Sequence, residues 1–114
     1  VDLAACRQVK ISRQQALGLK SATPLGRLML DMLQGWFYRE PSREKFEFCD
    51  PLAMAIALDP AIATATKVDL DVGIEKDELL GATSETGGPG EITLTQDVDS
   101  SRFFALFGRL FELR

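Results

Sequence analysis

The sequence predicts an α/β or α+β fold in which helices pack on a small, partly antiparallel sheet. Apolar residues recur at helical spacing through Leu25, Leu28, Met29, Met32, Leu33 and Trp36. The period then changes to two at Val68, Leu70, Val72 and Ile74, which alternate with Lys67, Asp69, Asp71 and Gly73. Helical spacing returns near the end through Phe103, Leu106, Phe107, Leu110 and Phe111.

Taken in order, residues 1–6 read as the buried end of a strand and Arg7 to Ser12 as a connection. Ser12 is a helix cap for a short helix over about Arg13 to Lys20. Thr23-Pro24 is a stronger start signal, because threonine accepts from a free first-turn amide and proline needs no donor there. It opens a helix over 24–38 with Pro41 beyond its end. Residues 41–48 form a charged loop that returns through Phe46 and Phe48.

Asp50-Pro51 opens a helix that is apolar on every side from Leu52 to Leu58, the pattern of a buried helix. Asp59-Pro60 ends it and starts a further turn. The alternating segment at 67–74 is a half-buried strand, a second strand lies around Leu80 to Glu85, and Thr86-Gly87-Gly88-Pro89-Gly90 is a loop. Ile92, Leu94 and Val98 mark a third strand, antiparallel to its neighbour. Asp99 or Ser100 caps the last helix, whose Phe103, Phe104, Phe107 and Phe111 fill a core or line a partner groove.

With 114 residues the chain is a single unit, 1–114, with one core. A net charge of −4 and a pI near 4.8 disfavour nucleic acid as a partner. The basic cluster Arg39 to Lys45 is interrupted by Glu40 and Glu44 and reads as a solvated loop. No apolar run approaches the ~20 residues needed to span a bilayer, so no membrane partner is expected. No leader is visible, and Cys6 and Cys49 read as free thiols of a reducing, cytoplasmic compartment. Histidine is absent, which excludes histidine-dependent triads and the common zinc motifs. The opening Val1 in place of methionine predicts a chain cut from, or partnered with, something larger.

Chemistry concentrates at Cys49-Asp50-Pro51-Leu52-Ala53. Aspartate before proline is an ordinary helix start, and Asp59-Pro60 repeats it. Asp50, however, leads a wholly apolar helix and stands at the lip of the core, where a carboxylate wants amides, an arginine or a metal ion. Asp59 precedes no comparable run.

Residues Cys49 to Ala55, followed by Ala57-Leu58-Asp59-Pro60, resemble the late motif of the nucleoside hydrolases. There the pattern is usually His-Asp-Pro, a small apolar pair, a buried helix and a closing proline. Weaker matches are Val68 to Val72, Leu80 to Thr83, the helix start from Val98 to Phe103, and Leu3 to Val9. The resemblance implies the C-terminal third of a Rossmann-type nucleoside hydrolase fold, which would cleave ribonucleosides to ribose and base. It also implies a calcium cofactor held by several aspartates, with Asp50 as a metal ligand and catalytic carboxylate. Partners would be the nucleoside substrate, the N-terminal portion of the same protein and further copies in a homo-oligomer.

Two departures accompany the resemblance. The family's early aspartate cluster is absent, and one carboxylate cannot supply the six to eight oxygens calcium takes, so the isolated chain is expected to be inactive. Cys49 stands in the place of the motif's histidine, as in a cysteine-containing branch of the family. A cysteine thiol is protonated at neutral pH, so Cys49 is either a proton donor to the leaving base or a small buried thiol. Trp36 and Tyr38 are candidates to stack on the base, or else to cover the helix end. The rival class is a non-catalytic binding or structural domain of the same descent, with Asp50 only capping its helix. A small enzyme with its own complete site is disfavoured by the missing histidine and the lone convergent carboxylate.

Overall fold

A computed structural model describes residues 1–75, 80–88 and 90–114. Its architecture is mixed α/β. Helices α1 (Leu3–Cys6), α2 (Arg13–Gly18), α3 (Pro24–Arg39), α4 (Cys49–Leu58) and α5 (Ser100–Leu110) accompany three two-stranded antiparallel ladders. The ladders pair β1 (Lys10–Ser12) with β2 (Lys45–Glu47), β3 (Ala63–Val68) with β6 (Ile92–Val98), and β4 (Leu70–Val72) with β5 (Thr83–Glu85). A single 3₁₀ turn over Pro60–Ile62 links α4 to β3.

Local signals act where the sequence places them. Ser12 and Gln15 form a reciprocal capping box on α2, and Thr23 accepts from the Gly26 amide at the start of α3. The Asp59 side chain accepts from the Ala61 amide in the 3₁₀ turn, and the Asp99 side chain accepts from the Arg102 amide as the N-cap of α5.

Other expectations are corrected. The opening segment is a helical turn and not a strand end, because Asp2 Oδ1 accepts the Ala5 amide at 2.8 Å and nucleates α1. Part of the expected connection from Arg7 to Ser12 is β1, whose pairing with β2 also turns the end of the charged loop into a strand. Phe48, and not Asp50, occupies the N-cap of α4 and makes no side-chain capping bond. Its amide is drawn to the Val9 carbonyl at 3.0 Å, so the chain passes from the β1–β2 ladder straight into the helix.

Helix α4 is not buried on every side. Leu52 and Ala55 are buried, whereas Met54 and Leu58 are each 62% exposed. The face of α3 turned to the core is Gly26, Leu30, Leu33 and Phe37. Leu25, Leu28 and Met32 from the expected stripe are exposed. The alternating segment breaks at Asp69 into two strands; Val68 is buried, but Val72 and Ile74 are exposed. The expected strand from Leu80 shortens to Thr83–Glu85, and Pro89 of the expected loop lies outside the described residues.

One core joins Val9, Leu33, Phe37, Phe48, Leu52, Ile62 and Phe103. Phe48 is its hub: the Phe46, Phe103, Phe104 and Phe107 rings lie 5.0–5.7 Å from it, centroid to centroid. The C-terminal residues close over the start of α3. Lys20 and Arg114 exchange backbone hydrogen bonds at 3.0 and 2.9 Å, and Ser21 Oγ donates to the Phe111 carbonyl at 2.9 Å. At the other end the Gln8 carboxamide donates to the Gln96 carbonyl and accepts from the Val98 amide, both at 2.9 Å.

The body is long and thin, 48 × 32 × 19 Å, with a radius of gyration of 16.8 Å. A compact chain of this length has a radius of about 13 Å. Its accessible surface of 8006 Å² likewise exceeds the roughly 6,200 Å² expected of a folded monomer of this mass.

Candidate functional site

A groove of about 560 Å³ lies between α3, α4 and α5. Its wall is apolar and sulfur- and aromatic-rich, with Met29, Met32 and Trp36 from α3, Met54 from α4, and Phe107 and Leu110 from α5. Asp50 is the one charged side chain among its lining residues. The first turn of α4 puts Asp50 there, exposed, with no hydrogen bond or ion pair to its carboxylate among the described residues. An unpaired carboxylate beside apolar walls can stabilise positive charge on a bound group, since the walls limit screening by water.

The structure brings Trp36 and Asp50 to this groove together. Trp36 is half-buried, edge-on to Phe37 and Phe46 at 5.0 and 5.1 Å. Tyr38 is 66% exposed and is not among the groove's lining residues. Cys49 also lies outside the groove lining; its half-buried thiol neighbours the buried thiol of Cys6. Burial pushes the Cys6 thiol up to about 11, with the adjacent Cys49 adding to the effect.

Calcium does not fit the residues present by themselves. Among the described residues no group of three or more aspartate, glutamate, cysteine or histidine side chains is placed to hold a metal ion. Asp50 alone is far short of the six to eight oxygens that ion takes.

Sequence reasoning missed two neighbours of these residues. Arg43, placed in a solvated loop, lies over Trp36. Cys6, sequence-distant from the motif, is the neighbour of Cys49. The Cys6–Cys49 relationship joins segments far apart in sequence, and Arg43 lies seven residues beyond Trp36, past the end of α3, so helical periodicity signals neither.

Asp59, the second aspartate–proline pair, is engaged elsewhere. Its carboxylate takes two hydrogen bonds from Arg102, at 2.7 and 3.2 Å, which tie the 3₁₀ turn to α5. That contact holds the Asp59 carboxyl below its ordinary range. Among the described residues no helix is long and apolar enough to cross a membrane.

No family model and no curated protein matches the sequence. Among solved structures the chain is similar to a plant nucleoside hydrolase, with a TM-score of 0.74 and 17% identity. The likeness covers 97% of this chain and 40% of that one, so the chain spans well under half the length of the protein it resembles. At this identity the likeness establishes a nucleoside-hydrolase-like fold.

Proposed function

We propose that the chain is the C-terminal portion of a calcium-dependent nucleoside hydrolase, which cleaves the N-glycosidic bond of ribonucleosides to give ribose and the free base. The observation that carries this reading is the fold likeness over nearly the whole chain to 40% of a nucleoside hydrolase. Surface in excess of a compact monomer's supports it, as does an apolar groove with one carboxylate at its rim.

In this reading Asp50 contributes one ligand to a calcium site completed by the upstream portion of the protein. Its charge also favours the oxocarbenium-like transition state. Trp36 and Tyr38 bind the base, and the Cys49 thiol supplies a proton to it as it leaves. The nucleoside and the upstream portion are the partners, in a homo-oligomer or a monomer. The chain by itself is inactive, and the whole protein serves purine and pyrimidine salvage in the cytoplasm.

The test is release of reducing sugar from purine and pyrimidine ribonucleosides by the longer polypeptide that contains these residues, with calcium present. Asp50→Ala should lower the rate on the order of a hundredfold or more while the circular dichroism is unchanged. Activity retained in that variant overturns the role of Asp50. No hydrolysis by the wild-type polypeptide overturns the enzymatic reading and leaves a non-catalytic domain of the same fold.

A further inference from the structure

Cys6 and Cys49 are 43 positions apart in sequence, yet two consecutive backbone hydrogen bonds hold their segments together. The Val9 amide donates to the Cys6 carbonyl at 3.0 Å, and the Phe48 amide donates to the Val9 carbonyl at 3.0 Å. Phe48 is followed directly by Cys49, the first residue of α4, and α1 packs against α4. Val9 and Phe48 are both buried, so this connection is anchored in the core. The two thiols differ in access: Cys6 is 3% exposed and Cys49 is half-buried. Cys49 is therefore the residue a small oxidant can approach, and Cys6 the one screened from solvent.

We propose that Cys6 and Cys49 form a reversible oxidation site, in which hydrogen peroxide converts the two thiols to an intramolecular disulfide joining α1 to α4. The Cys49 sulfur attacks one peroxide oxygen, the O–O bond breaks, and one water leaves with the thiol's proton. The resulting sulfenic acid is attacked by the Cys6 sulfur. An S–S bond forms, the S–O bond breaks, and the second water leaves with the Cys6 proton. Two thiols are oxidised by two electrons, and one hydrogen peroxide is reduced. A dithiol reductant reverses the exchange through a mixed disulfide. The proposal does not rest on nucleoside hydrolysis, and its readout is covalent.

The experiment treats the purified chain with hydrogen peroxide, blocks remaining thiols with iodoacetamide in denaturant, and maps the peptides by mass spectrometry. The expected product is the chain less two hydrogens, with the Cys6 and Cys49 peptides joined and separated again by dithiothreitol. Its formation should be at least about tenfold slower in urea, where the two segments are no longer held together. Cys6→Ala should instead accumulate higher oxides on Cys49, and the wild-type peptide map decides the question even if that variant does not fold. Sulfinic or sulfonic acid on Cys49 with Cys6 still alkylated in the wild-type chain would overturn the proposal. So would cross-links found only between chains.

Discussion

The Arg43 guanidinium carbon sits 4.1 Å from the centroid of the Trp36 ring, and the same side chain donates to the Trp36 carbonyl at 2.9 Å. One loop residue thus covers an indole and satisfies a carbonyl in the last turn of α3. A cation–π contact at a partly exposed site contributes about 0.5–1 kcal/mol, and the hydrogen bond about 1 kcal/mol. Arg43→Ala should therefore lower stability by about 1–2 kcal/mol and shift the tryptophan emission to the red. Trp36 is the single tryptophan, so emission and a urea melt report the same site. An unchanged spectrum would mean the guanidinium does not cover the ring in solution.

Phe103 is fully buried and touches the Phe48, Phe104 and Phe107 rings. Phe103→Ala leaves a cavity under α5 and should destabilise by about 3–5 kcal/mol. That is a large part of the stability of a small domain. Loss of the cooperative melt, or a steep fall in its midpoint, is the expected result by calorimetry.

Gly26 faces the closing C-terminal residues. A Cβ there would collide with Ser21 Oγ and the Phe111 carbonyl. Gly26→Ala should cost about 1–3 kcal/mol in spite of alanine's better helix propensity. Gly35 lies in the same helix with open space around it, and Gly35→Ala should stabilise instead. Paired urea melts of the two variants check the sign.

Arg102 keeps the Asp59 carboxyl depressed below its ordinary 3.8, so the folded chain binds that proton less readily than the unfolded chain. The contribution is fully present above the ordinary value and disappears as pH falls through the lower, folded one. Between roughly pH 5 and pH 3, Arg102→Gln should make urea midpoints fall less steeply than in the wild type. Parallel curves would mean that the pair does not persist in solution.

Asp50 is exposed and has no hydrogen-bond or ion-pair partner among the described residues, so Asp50→Ala should change stability by no more than about 0.5 kcal/mol. Titration calorimetry of the chain alone should show no calcium binding at micromolar calcium, because a single carboxylate lacks the needed oxygens. Tight binding would mean that the chain holds a complete site of its own.

Local chemistry was legible in the sequence. Ser12 with Gln15, Thr23 with Pro24 and Asp99 all sit within a turn of the amides they serve; the strand at Ile92 to Val98 was also legible, but its pairing with β3 across the intervening β4–β5 hairpin was not. Helix α1 was missed because four residues show no period, although Asp2 was an available capping signal. On α3 two adjacent faces are apolar, so periodicity alone selected residues of which Leu25, Leu28 and Met32 are exposed. The uniform apolarity of α4 was read as full burial, but only one face meets this chain's own core. For the site, Asp50 and Trp36 share a groove, whereas the Cys6–Cys49 neighbours depend on long-range closure and Arg43 reaches back seven residues to Trp36 from beyond the end of α3, where periodicity gives no signal.

The Gln8 carboxamide has a consequence for self-association. In a two-stranded ladder each strand keeps one edge whose amides and carbonyls can recruit a strand from another molecule. Gln8 occupies the Gln96 carbonyl and the Val98 amide on β6, as a neighbouring backbone would. A single side chain thereby plugs the edge at the end nearest the core. Replacing it with a residue that cannot both donate and accept would unmask a template for intermolecular β-pairing, and with it a nucleation point for fibrils.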